Sequence, residues 1–169
     1  MTPRSKGLLV AALHVLIVAS IGAKFLYDRS HYPSLWVETA PYDPDMPIRG
    51  RYVSISLRID VDRSAGNDGS ARNEYGFPVR LEVRGDRLVA VQDDAGGRQW
   101  VTSCRRDKTD CWQLMKPVAY FIPEHAADPS RRPPGEALWA EVTVPPNGPP
   151  RPIRLGLRKD GGAIEPIAP

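Results

Sequence analysis

Residues 7–23, GLLVAALHVLIVASIGA, carry no charge and a single polar ring, that of His14. Such a run leaves the backbone few options. Inside hydrocarbon every N–H and C=O must be paired within the segment, and a helix does this. A bilayer core takes about 20 apolar residues, with a range of roughly 17–25. The run is short for that range, but Lys24 can snorkel and Phe25, Leu26 and Tyr27 carry apolar surface into the interface. Arg4 and Lys6 precede it, which places the N-terminus in the cytoplasm and the remainder outside. The expected division is a cytoplasmic tail at 1–6, an anchor at 7–27, an exit linker at 28–33 and an extracytoplasmic domain at 34–169. A cleaved signal peptide is the alternative, with Val18-Ala19-Ser20 as the small-residue site, although that triplet lies inside the apolar run. No cysteine lies near enough for a lipid anchor. His14 has no carboxylate in its own span and reads as a tolerated neutral imidazole, with an intramembrane functional group as the other reading.

Beyond the anchor, proline and glycine dominate the argument. The chain has 18 prolines and 14 glycines, above average usage, which argues for short strands joined by turns rather than for a helical body. Net charge is +3 with the signs mixed along the chain, so no basic, aromatic-laced stripe for nucleic acid is present. The outer part is large enough to bury a core without a metal.

The strand pattern is period two. After the short segment Ser34–Thr39, a stiff acidic arm (Pro41, Asp43, Pro44, Asp45, Pro47) leads to a turn at Gly50. Tyr52–Ile59 follows, with Val53, Ile55, Leu57 and Ile59 alternating against Tyr52, Ser54, Ser56 and Arg58. This predicts one buried apolar face and one exposed hydroxyl face. Asp62–Asn73 reads as a loop. Phe77–Val83 and Leu88–Gln92 form a hairpin. Gln99–Cys104 and Cys111–Met115 flank a polar turn, and Val118–Ile122 sits between Pro117 and Pro123. Ala137–Val144 and Ile153–Arg158 enclose a proline-loaded loop. The pattern predicts an N-terminal transmembrane helix plus an all-β domain, a small antiparallel barrel or sandwich of about eight short strands.

Cys104 and Cys111 are the only cysteines. An outward topology places them in an oxidising compartment, and strand-like segments on both sides make a bridge across a hairpin natural. It would stabilise by roughly 2–3 kcal/mol. The spacing is not C-x-x-C, and two thiols without a nearby histidine leave a zinc tetrahedron unfilled. No catalytic motif emerges: there is no G-x-S-x-G, H-E-x-x-H, P-loop or dinucleotide fingerprint. Asp43 and Asp45 read as turn chemistry, with Ca²⁺ binding or acid–base work as the alternative. Glu124 and His125 read as a solvated loop or, alternatively, the lining of a site. No cofactor and no metal are expected.

Thr39–Leu57 resembles the GDYXXLXY-motif family of membrane-anchored proteins. The arm Thr39-Ala40-Pro41-Tyr42-Asp43-Pro44-Asp45 is similar to the family's TAP-x-DPRD-type approach. Gly50 and Tyr52 match the motif, Ile55 is conservative for its leucine, Arg51 stands for the acid and Leu57 for the last tyrosine. Tyr120-Phe121-Ile122-Pro123-Glu124 is similar to a second family segment, aromatic–aromatic–x–Pro–Glu. Glu136–Val144, the hairpin after it and Ile153–Leu157 are similar to a third. The resemblance implies a single anchor and a β-rich domain outside the inner membrane of a bacterium, with no established reaction. It associates the chain with multi-spanning membrane proteins.

The expected function is therefore a non-enzymatic accessory domain for a membrane-protein partner, contacting it through Asp43, Asp45, Gly50, Arg51, Tyr52, Ile55, Leu57, Tyr120, Phe121, Pro123 and Glu124. The alternatives are a small-ligand or glycan-binding domain, with tryptophans as a stacking platform, and a carboxylate-based hydrolase.

Overall fold

The structure, a computed structural model, describes residues 3–41, 52–62, 76–94, 96–106, 109–123, 129, 133, 135–146 and 148–167. The expected contact residues Asp43, Asp45, Gly50, Arg51 and Glu124 lie outside the described residues, as does His125. The chain divides into two compact units, Met1–Pro33 and Ser34–Pro169.

The first unit is one helix, α1 (Pro3–His31). Its segment Ser5–His31 is long and apolar enough to cross a membrane, with a mean hydropathy of 2.1 over its most apolar window. Apolar side chains surround the whole circumference instead of forming one stripe, the pattern of a helix with lipid on every side. The helix also takes in Asp28–His31, which the sequence reading assigns to an exit linker. The last turn closes on itself: the Tyr27 and His31 rings stack at 3.9 Å, and Ser30 Oγ donates to the Tyr27 carbonyl at 3.0 Å. Such bonds satisfy terminal carbonyls that a helix leaves orphaned. Arg29 and His31 in the last turn suit the negative end of the helix dipole. Pro33 then prevents continuation.

The second unit is a β-sandwich. Its first sheet holds β1 (Ser34–Pro41), β2 (Tyr52–Leu57), β8 (Val118–Phe121), β9 (Glu136–Thr143), β10 (Arg151–Lys159) and β11 (Ile164–Pro166), in the order β11-β10-β9-β1-β2-β8. Its second holds β3 (Asp60–Asp62), β4 (Phe77–Arg84), β5 (Arg87–Gln92), β6 (Gln99–Arg106) and β7 (Thr109–Leu114), in the order β3-β5-β4-β6-β7. All pairings are antiparallel except β3 with β5, where Asp60 lies opposite Val89. Of the two architectures the pattern allowed, two packed sheets is the one adopted. Eleven strands form among the described residues where about eight are expected, and β3, three residues long, is too short to show a period.

The core is what the alternation indicates. Ile55, Leu57, Val79, Ala90, Val101, Ala140 and Val142 are fully enclosed, and their burial drives the packing of the two sheets. The hydroxyl side of β2 differs from expectation: Ser54 is 9% and Ser56 2% exposed. Ser56 lies opposite buried Ala40, so small side chains occupy a face that is also closed. Cys104 and Cys111 face each other across the β6–β7 ladder, Cα atoms 4.9 Å apart, and are joined as a disulfide.

One strand belongs to both sheets, and it shapes the site. The Arg58 N–H donates to the Glu38 carbonyl of β1 at 2.9 Å, and the next N–H, of Ile59, donates to the Trp112 carbonyl of β7 at 3.0 Å. The chain then runs into β3 and pairs with β5. The strand that accompanies β1 along Thr39–Pro41 thus departs for the other sheet.

Candidate functional site

Where β2 departs, a cleft of about 1130 Å³ opens between the two sheets. Its walls are the first half of β1, Arg58–Val61, the β4–β5 turn with the start of β5, and outer-face side chains of β9 and β10. Glu38 and Arg58 lie on its floor, held as an ion pair at 2.6 Å and each about one-fifth exposed. Asp60 and Arg87 face each other at 3.5 Å near the rim, both well exposed.

The outer face of the β1–β9–β10 sheet forms one side. Trp36 lies opposite Glu141, and Glu38 opposite Trp139. Arg154 stacks over the Trp36 ring at 5.4 Å and Arg158 over the Trp139 ring at 5.2 Å, each a cation–π contact. Glu141 fixes this layer: it accepts from Arg154 Nε and from Ser34 Oγ at 3.0 Å. Arg158 is fixed by the Gly162 and Gly161 carbonyls at 2.8 and 3.1 Å. The Trp36 ring reaches across β9 to β10, where its edge occupies the space a Cβ on Gly156 would need. A third tryptophan, Trp112, lines the cleft and packs edge-on against Phe77 at 5.1 Å. Trp139 Nε1 and Arg58 Nε are enclosed donors with no acceptor among the described residues.

The main chain contributes as well. Glu38 directs its carbonyl toward the β2 side, and peptide groups of alternate residues on an antiparallel strand point to the same edge. Those of Trp36 and Ser34 therefore point into the cleft. The β2 register covers only Thr39–Pro41, so no strand among the described residues pairs with that edge from Ser34 to Val37.

The expected motif residues are distributed differently. Ile55 and Leu57 are 0% exposed, so they act through packing and offer no surface to a partner. Tyr52 opens β2 opposite Phe121 of β8, which joins two segments of the resemblance that are far apart in the chain. Tyr120 packs half-buried against the core, while Phe121, at 77%, and Pro123 are exposed. Among the described residues no three His, Cys, Asp or Glu side chains gather as metal ligands. Away from it, Arg84 bridges Asp62 at 2.5 Å and Glu82 at 3.0 Å. Arg84, and then Arg80, hold the Glu82 carboxyl below its ordinary range.

On a strand, Trp36 faces away from its neighbours Leu35 and Val37. Nothing local indicated that β2 would abandon β1, so the cleft escaped sequence reasoning. Fold and cleft together define a class: one helix of membrane-crossing length and apolarity followed by a β-sandwich with an open cleft. Over residues 14–155 the chain matches the GDYXXLXY protein family, and it belongs to that family. No curated protein and no solved structure matches it.

Proposed function

We propose that this chain is a membrane-anchored binding domain of the bacterial envelope, without a reaction of its own, that engages a membrane-protein partner. The N-terminus faces the cytoplasm and the sandwich stands outside the inner membrane. The observation that carries the reading is the cleft of about 1130 Å³ on β1, which begins three residues after the membrane-crossing helix ends. Most of its charges have structural partners, Glu38 with Arg58, Asp60 with Arg87 and Arg158 with backbone carbonyls, while Asp86 on its wall is exposed. A general acid or base needs a carboxyl that can reach a substrate proton, and Glu38 and Asp60 each face an arginine instead. What the cleft does offer is three tryptophans, Trp36, Trp112 and Trp139, and three arginines, Arg58, Arg87 and Arg158, residue types that carry much of the binding energy at protein contacts.

The glycan reading has one observation in its favour, that Trp36 and Trp139 share a face of the sheet. Arg154 and Arg158 already stack on these rings, so a sugar would have to displace them.

The test is photo-crosslinking in native membranes from the full-length chain, with the crosslinker at Asp60, at Arg87 and at Phe121. Capture of one multi-spanning protein from Asp60 and Arg87 supports the reading. Capture from Phe121 alone moves the contact to the β2–β8 edge. No protein captured from any position refutes the partner role and returns weight to a small ligand.

A further inference from the structure

From the open edge of β1, and resting on the binding role above, we infer that the cleft takes an extended polypeptide segment of the partner, which adds as a strand beside Ser34–Val37. The first ground is main-chain chemistry. The Trp36 and Ser34 peptide groups point to an edge that β2 has left at Arg58. An unpaired row of N–H and C=O groups is a template for another strand, and strand addition is a recurrent way to bind extended peptides. A sugar or a folded helix presents no matching row. The second ground is that the cleft wraps both faces of this edge. On the core side it is lined by the largely buried Leu35, Val37 and Leu88, and on the outer side by Trp36, Trp139 and Arg158.

An added strand alternates its side chains between those two environments. The inferred occupant is therefore a segment of about four residues with apolar side chains at alternate positions toward Leu35 and Val37. Its intervening side chains meet the outer layer of Trp139 and Arg158, whose guanidinium favours acidic groups. The ion pairs flanking the edge leave no surplus charge to draw in a basic segment.

The two outer edges of the first sheet are less suited. β8 has four residues between Pro117 and Pro123, and flanking prolines are a common way of blocking edge pairing. β11 has three residues and ends at Pro166.

The experiment uses the full-length chain in nanodiscs and a phage-displayed library of linear ten-residue peptides. Enriched peptides are synthesised and each backbone N–H is methylated in turn. The expected result is a period-two response, with methylation at alternate residues weakening binding at least tenfold and methylation between them leaving it within twofold. Trp36→Pro is compared with Trp36→Ala, since both lose the ring and only proline loses the N–H that faces the cleft. Ser34→Pro against Ser34→Ala repeats the comparison where no ring is involved, in case Trp36→Pro fails to fold. Each proline variant should bind at least tenfold more weakly than its alanine counterpart. A methylation response without period two, equal binding by proline and alanine variants, or no enriched peptide overturns the inference. A partner crosslinked at Asp60 with no period-two peptide leaves the binding role standing and removes the strand mode. A period-two peptide with no crosslinked membrane protein does the reverse.

Discussion

Gly156→Ala tests the arrangement that holds Trp36 beside the cleft. In open space this change would stabilise, because alanine restricts the unfolded chain, by about 0.4–1 kcal/mol. Gly156 has no positive φ, so its backbone accepts alanine. Space decides the sign. A Cβ at 156 would lie 2.7 Å from Ile164 Cγ2 and 2.9 Å from Trp36 Cη2 and Cζ3. Carbon atoms at rest sit about 3.5–4.0 Å apart, so at least about 0.6 Å must be recovered. Ile164 lies on the short outer strand β11 and yields readily. The Trp36 ring is stacked against Arg154, which Glu141 holds in turn, so moving it breaks that contact too. Forced repacking of this kind costs about 1–3 kcal/mol, and after the entropic gain about 1–2 kcal/mol of destabilisation remains. In a domain this size that lowers the melting temperature by about 3–6 °C. The assay is thermal unfolding of the full chain in detergent, followed by tryptophan fluorescence. Gly148→Ala is the control, since its nearest neighbour is Pro145 Cγ at an ordinary 3.5 Å, and it should match or slightly exceed wild type. Combining Gly156→Ala with Trp36→Leu should recover part of the loss, a coupling above about 0.5 kcal/mol. Equal melting of the two alanine variants would refute the reasoning.

Three further outcomes are expected. Leu57→Ala, at a residue with no exposure, should cost about 3–5 kcal/mol in urea unfolding; a loss under about 1 kcal/mol would mean the two-sheet core is not closed there. Replacing both Cys104 and Cys111 by serine opens a loop whose ends are seven residues apart, and should cost about 2–3 kcal/mol on the chain-entropy account. Dithiothreitol should destabilise wild type by the same amount and leave the double variant unchanged. Glu82→Gln probes pH dependence. Its carboxyl is held below the ordinary 4.5 by Arg84 and then Arg80. A depressed folded pKa gives stability that is present above that value and lost as pH falls through the folded pKa. The variant should show a slightly shallower acid limb below about pH 4.3 and near-wild-type stability at pH 7, because an exposed pair is well screened. An unchanged acid limb would show that the Arg80–Glu82–Arg84 contact is not formed in solution.

The parts of this protein that could be read from the chain are those set by local chemistry. Residues 7–23 could only be a helix of membrane-crossing length, because an uncharged apolar run must satisfy its own backbone. The inward set Val53, Ile55 and Leu57 followed from period-two alternation, and the Cys104–Cys111 bridge from two cysteines flanking one turn. The buried Ser54 and Ser56 did not follow, since alternation says which face is apolar and nothing of what covers the other. The helical Asp28–His31 was missed because a stacked Tyr27–His31 pair outweighs a polar composition.

The cleft belongs to tertiary structure alone. It exists because Arg58 still bonds to Glu38 while Ile59 already bonds to Trp112, and because β3, three residues long, pairs in parallel with a strand more than twenty residues further on. Pairing partners that distant in the chain are chosen by the packing of the whole core. The apolar helix, the strand faces and the disulfide were thus legible in the chain, because their causes lie within a few residues. Only the folded domain decided that, among the described residues, no strand pairs with β1 from Ser34 to Val37 beside three tryptophans, because an edge is open or closed according to where every other strand has gone.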